Sequence, residues 1–319
     1  MPHGKLNNYN LKFDSFLSGS AIWIVTSDLV ACNSLFPTSI TDSRFVKIAA
    51  FSLTLVLLAL GLTASTYGHA AAPGWNALHQ QADLLYRQGQ YTRATEVAKQ
   101  ALQVAEQALG PDHPDVATSL NSLALLYSAQ EQYALAESLY QRALAIDEKA
   151  HGPDHPDVAA SLNNLAQLYH ARGQYALAEP LHKRALAILE KVFGPDHPNV
   201  AISMNNLALL YHTQKQYAQA EPLYKRVLTI SQKALGPEHP NVALGLNNLA
   251  GLYRDQGKYP NAEPLFRRAL AISEKAFGPD HPNVATGLEN LAQLYRDIGH
   301  ASKAVPLEKR AAEIRALRR

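Results

Sequence analysis

The sequence predicts an all-α protein, a solenoid of six helical hairpins, and three observations carry that prediction. The string Gly-Pro-acid-His-Pro recurs at Gly110, Gly152, Gly194, Gly236 and Gly278, each 42 residues after the last. A fixed period of that length marks stacked repeat units. Between successive copies two amphipathic helical patterns alternate, bounded by proline and glycine where helices start and stop. Composition agrees, because 319 residues that are 47% hydrophobic and 18% charged can bury a core rather than stay disordered.

Taken from the N-terminus, the first element is an apolar stretch. Residues 48–65 read IAAFSLTLVLLALGLTAS after Arg44 and Lys47, and no Asp, Glu, Lys or Arg follows Lys47 until Asp83. A basic flank, an apolar run and small residues around Gly68-His69-Ala70 form a secretory signal pattern. The run is slightly short of the roughly 20 residues that cross a bilayer, and its basic flank would stay in the cytoplasm. Signal peptides open a chain, whereas this one starts near residue 46. Translation beginning at Val46 explains the offset, as does a signal anchor with a cytoplasmic tail. A lipoprotein box at Leu29-Val30-Ala31-Cys32 is disfavoured by the adjacent Asp28. The competing reading is a buried hydrophobic helix packed on the repeats. The expected organisation is an extension over 1–45 that is disordered or not translated, a signal peptide or signal anchor over 46–72, and a repeat domain over 73–319. The expected location is the cell envelope, exported (periplasmic or secreted) or anchored, with membrane contact only through residues 48–65.

The hairpins follow one logic, clearest in the third. Pro156 suits the first turn of a helix, where its missing N–H would have no partner. Leu162, Leu165, Ala166 and Tyr169 fall at i, i+3, i+4 and i+7, one apolar stripe, and Arg172-Gly173 should end the helix. The second helix starts after Tyr175, carries Ala178, Leu181, Ala185, Leu186 and Leu189, and stops at Phe193-Gly194-Pro195. Pro180, with Pro222, Pro264 and Pro306 at the same register, is expected early in that helix, where backbone N–H groups are unbonded. Hairpins are placed near 76–109, 114–151, 156–193, 198–235, 240–277 and 282–319. One hairpin cannot bury both stripes, but stacked neighbours can. Alanine registers at Ala82 to Ala292 and at Ala94 to Ala304 allow close approach, and Tyr127, Tyr169, Tyr211, Tyr253 and Tyr295 supply bulk. The end units depart from the pattern, with Leu85 at the tyrosine register and Ala301 where Tyr259 and its equivalents stand.

The block LNNLAQLYHARGQYALAEPLHKRALAI, with its Leu-Ala, Tyr, Gly, Tyr, Ala and Ala sites, resembles the tetratricopeptide repeat. The 42-residue unit and its GPDHP linker resemble the kinesin light chain subtype of that repeat. The resemblance runs from about Trp75 to Arg319. It implies a right-handed superhelical array whose concave groove binds proteins or peptides. No motor partner is inferred, since no long heptad pattern precedes the array.

Candidate groove residues lie one step round the first helix from its buried stripe. These are Asn163, Gln167 and His170, with Asn121, Asn205 and Asn247 repeating the first of them. A second asparagine follows at Asn164, Asn206, Asn248 and Asn290. Asparagine offers donors and an acceptor, so a row of them can hold an extended peptide backbone. Groove asparagines do this in peptide-binding tetratricopeptide proteins, and the resemblance extends the role to Asn164, Asn206, Asn248 and Asn290. The competing reading has them pair with neighbouring helices, because mid-helix asparagine needs compensation. His170, His212, Arg254 and Arg296 would make the groove mildly basic and favour an acidic or C-terminal-carboxylate ligand.

Other classes find little support. Lysine plus arginine total 29 against 27 acidic residues, a net of +2, without the basic stripe that nucleic acid requires. Cys32 is the one cysteine, which leaves no disulfide framework and no thiolate metal cluster. Linker histidines His113, His155, His197, His239 and His281 read as caps, one per hairpin with no second ligand type converging. Lys183-Arg184, Lys225-Arg226 and Arg267-Arg268 follow glutamates such as Glu179 and Glu221 and read as surface ion pairs. No glycine phosphate loop, GxSxG or HExxH is present, so no catalytic residue, metal or cofactor is assigned. The expected function is a monomeric, non-enzymatic scaffold for a protein or peptide. The alternatives are a self-associating structural assembly protein of the envelope, which the basic stretch from Lys309 to Arg319 opposes, and a sensor or adaptor subunit acting with a partner in trans.

Overall fold

A computed structural model describes residues 74–317; the signal, anchor and extension expected over 1–72 lie outside the described residues. Within them twelve helices form six pairs. They are α1 (Trp75–Arg87) with α2 (Tyr91–Leu109), α3 (Pro114–Ala129) with α4 (Tyr133–His151), and α5 (Pro156–Ala171) with α6 (Tyr175–Phe193). Then come α7 (Pro198–Thr213) with α8 (Tyr217–Leu235), α9 (Pro240–Asp255) with α10 (Tyr259–Phe277), and α11 (Pro282–Asp297) with α12 (Ala301–Ala316). No strand occurs among the described residues, and none of their helices is long and apolar enough to cross a membrane.

The linkers end one helix and cap the next. Gly110 takes φ 87° and ψ 161°, a backbone region that essentially only glycine occupies, and its four equivalents do the same. Three residues later the histidine turns its Nδ1 on the following helix. His113, His155, His197, His239 and His281 each accept the N–H two residues on, at 3.1–3.2 Å. Proline then opens the helix without wasting a donor.

Alanine sets the spacing of the stack. Ala94, Ala136, Ala178, Ala220, Ala262 and Ala304 are wholly buried, and each hairpin packs its first helix on the second helix of the hairpin before it. The tyrosines fill the gaps and also bond outward. Tyr169, Tyr211, Tyr253 and Tyr295 donate to Glu137, Glu179, Glu221 and Glu263 of the preceding hairpin at 2.7–3.1 Å. Leu126 and Leu168 are 3% and 2% exposed where they meet the preceding hairpin, whereas Leu84, at that register in α1, is 56% exposed.

Two expectations need correction. Pro180 is the sixth residue of α6 and interrupts the hydrogen-bonded interior, as do Pro222, Pro264 and Pro306 in their helices. Ala178 already donates to Gln174, so the unbonded first turn has passed. Pro180 and Ala176 both face solvent, the side on which a missing helical donor costs least. The paired cations also divide their work. Lys183, Lys225 and Arg267 make the expected i,i+4 bridges to Glu179, Glu221 and Glu263. Arg184, Arg226 and Arg268 instead reach the preceding linker, donating to the carbonyls of Pro153, Pro195 and Pro237. Arg184 and Arg226 also pair with Glu148 and Glu190 one hairpin back.

Candidate binding groove on the first helices

The first helices of successive hairpins touch directly, α3 with α5, α5 with α7 and α9 with α11. A row of side-chain contacts crosses these junctions. His170 bonds Thr213 at 3.1 Å, His212 bonds Asp255 at 2.9 Å, and Arg254 approaches Asp297 at 3.7 Å. Each partner stands 43 residues on, so the row links each first helix to the next.

That row carries its own counter-charges. Arg254 also donates to Asp255, and Arg296 grips both oxygens of Glu308 at 2.8 and 2.6 Å. Burial holds the His170 pKa below its ordinary value. Burial alone would raise Asp255, but the bond from His212 and the Arg254 charge outweigh it and hold it low. The four residues expected to make the groove basic are therefore largely offset by acids or neutral.

The asparagines divide between the two readings. Asn163, Asn205 and Asn206 are buried. Asn163 bonds His182 at 2.8 Å and Ser203 at 3.3 Å, and Asn205 accepts from Asn248 at 2.8 Å. Asn121 donates to Ser161 at 3.0 Å. The bonds of Asn121, Asn163 and Asn205 join neighbouring hairpins, as the competing reading held, whereas the buried Asn206 Nδ2 has no hydrogen-bond partner among the described residues. Asn164, Asn247 and Asn290 are half-buried, and the Asn164 and Asn290 side chains form no hydrogen bond with another described residue. Around them the first helices expose aliphatic side chains. Leu125 and Leu244 are 36% and 39% exposed, with Ile202 and Leu209 half-buried.

Sequence reasoning missed a polar core beneath this face. Trp75 donates to Ser119 at 2.7 Å, and Ser161 donates to Asp147 at 2.6 Å. Asp147 is 5% exposed, and burial raises its pKa to about 6 despite the Ser161 bond. Burial, with His170 nearby, pushes His182 down to about 3, so this imidazole is neutral. The signal was present as a break in register. Asp147 stands where Ala105, Leu189, Ser231 and Ser273 do, and His182 where Tyr140, Tyr224 and Phe266 do. At positions 245 and 287 glycine replaces the serine, and a Cβ there would meet Leu228 at 3.7 Å and Leu270 at 3.2 Å.

The linker histidines cap their helices as expected, with one correction. At His155 a second histidine and a carboxylate do converge, the donor atoms of His151, His155 and Asp157 lying within 4.8 Å of one another.

Comparison with known proteins gives a consistent picture. The family model described as the tetratricopeptide repeat matches residues 76–149, 125–191, 157–233, 205–259 and 241–316, an overlapping series along the whole helical array. Among solved structures, BtubC (BKLC) from P. vanneervenii is 27% identical, with a TM-score of 0.58, over 76% of this chain and 92% of that one. A putative kinesin light chain from Podosopora anserina, described as having nearly identical repeats of this type, is 29% identical with a TM-score of 0.55. It covers 66% of this chain and 98% of its own. A Rap protein complexed with competence and sporulation factor shares the fold at 15% identity and a TM-score of 0.55, over 80% of this chain and 78% of that one. No curated protein sequence matches.

Proposed function

The chain belongs to the tetratricopeptide repeat family, with repeats like those of kinesin light chains, and on that premise we propose that it is a non-enzymatic scaffold. It holds an extended segment of a partner protein along the face formed by α3, α5, α7, α9 and α11. The observation that carries this reading is the pairing of uncommitted amides at Asn164 and Asn290 with exposed aliphatics at Leu125 and Leu244 on that face. Such amides suit a peptide backbone and such leucines suit its side chains. The offset charges of the histidine and arginine row favour a ligand with apolar side chains over a strongly acidic one.

The test is a selection of displayed random peptides on the full chain, repeated on a variant carrying Asn164→Ala, Asn290→Ala and Leu244→Ala. These positions are only partly buried, so helicity and melting temperature should hold. Peptides that bind the native chain should bind the variant at least about tenfold more weakly, the loss of about 1.4 kcal/mol. Equal binding by both would place recognition elsewhere. Because residues 46–72 have a signal pattern and the like charges of the stretch from Lys309 to Arg319 oppose end-to-end stacking, we place the protein in the cell envelope as a monomer. Fractionation that finds the full chain in the cytosol, or sedimentation that finds a concentration-dependent oligomer, contradicts the corresponding part.

A further inference from the structure

The five linkers act as controls for one another, and one of them is different. Position 109 and its equivalents hold Leu109, His151, Phe193, Leu235 and Phe277, while the second residue of the following helix is Asp115, Asp157, Asn199, Asn241 or Asn283. Only the linker between the second and third hairpins combines a histidine at the first place with an aspartate at the second. There His151 Nε2 lies 3.6 Å from Asp157 Oδ2, and His155 Nδ1 lies 3.3 Å from the same oxygen.

Those two separations are close to the ones a metal requires, and all three donor atoms lie within 4.8 Å of one another. Donor atoms about 2.0–2.1 Å from a tetrahedral zinc ion lie about 3.3 Å from each other. Two imidazoles with one carboxylate is a donor set for zinc-like divalent transition metals. The local fold does not need the second imidazole. Phe193 and Phe277 stack on their linker histidines at 4.6 Å between ring centres, and His151 stacks on His155 at 4.4 Å in the same way. What His151 adds is a nitrogen, and that Nε2 is shielded from solvent with no hydrogen-bond partner among the described residues. Nor does the helix start need the carboxylate, since three other linkers use asparagine there.

We propose that His151, His155 and Asp157 form a binding site for a single zinc-like divalent cation, with the remaining coordination position open to water. The ring planes are 21° apart, so chelation requires one ring to turn until both lone pairs meet at the ion. His155, with its side chain 40% exposed, has the room. Its Nδ1 also accepts the Asp157 N–H, so the ion exchanges a helix cap for a metal bond. Bound, it clamps the end of α4 to the start of α5 and fixes the joint between two hairpins. Asp154, the other acid of this linker, bridges to Lys191.

The experiment is a zinc titration of the tag-free full chain by calorimetry, with cobalt absorption as a second readout of coordination. His151→Phe and Asp157→Asn are the control variants, each installing a residue that this protein carries at an equivalent position. The native chain should bind one zinc per molecule and melt at a higher temperature when loaded. Each variant should keep its helicity and metal-free melting temperature and lose more than about tenfold in affinity, because even outer-shell changes cost that much. Failure of the native chain to bind zinc, or unchanged binding in both variants, overturns the assignment.

Discussion

Asp147 is a carboxylate in a position that its counterparts fill with alanine, leucine, serine or, in the last hairpin, arginine, and its environment fixes how it responds to pH. Its folded pKa of about 6, raised first by burial, exceeds the roughly 3.9 of an exposed aspartate. The folded chain therefore binds this proton more readily than the unfolded chain does. Its destabilising effect is absent below about pH 4, grows as pH rises through 6, and is complete near neutrality. Asp147→Ser, which copies Ser231 and Ser273, should remove that dependence. Urea melts should show the native chain losing up to about 3 kcal/mol relative to the variant between pH 4 and pH 7; parallel profiles would contradict the burial argument. Other carboxylates titrate in both proteins, so the difference is the readout. At this scale the sequence was half legible. The asparagine rows were visible as registers, but not which amides the neighbouring helices consume, because that depends on Ser161, His182 and Ser203 arriving from other registers. The charge row was visible too, while its neutralisation by Asp255, Asp297 and Glu308 required the stacking geometry.

Elements were read more reliably, because their ends are written in residues with few conformational options. Glycine at φ near +85° and proline at the first helical position leave little freedom to a linker, and the observed helices fall at the expected places. The turn inside each hairpin gives a sharper test. Gly89, Gly173, Gly257 and Gly299 take positive φ there, but Glu131 and Lys215 occupy the same place at φ 61° and 60°. A side chain in this left-handed region costs roughly 1 kcal/mol. Glu131→Gly and Lys215→Gly should each stabilise the chain by up to about 1 kcal/mol, seen as a higher denaturant midpoint at unchanged slope. No gain from either would mean that the turns relieve this strain by other contacts. Proline was misread for an instructive reason. Periodicity showed where the apolar stripe ran, but Pro180 lies on the opposite, solvent-facing side, where a lost backbone bond does not disturb the pattern.

The whole molecule is a sum of nearest-neighbour contacts, which explains why its fold was legible and its ligand was not. Repetition specifies stacking, and five unbroken periods made the array plain from sequence. Recognition depends on what remains uncovered after stacking, which repetition hides. The exposed leucines separate the possible faces. Leu244 stands on α9 at 39% exposure and Leu177 on α6 at 50%, so a probe at either position is accessible while only the first lies in the proposed groove. The most direct measurement places a photocrosslinking amino acid at position 244 or 177 of the full chain and exposes each protein to the peptides selected on the native array. Crosslinking from 244 and not from 177 is the predicted result. Equal yields, or crosslinking from 177 alone, would contradict a groove on the first helices.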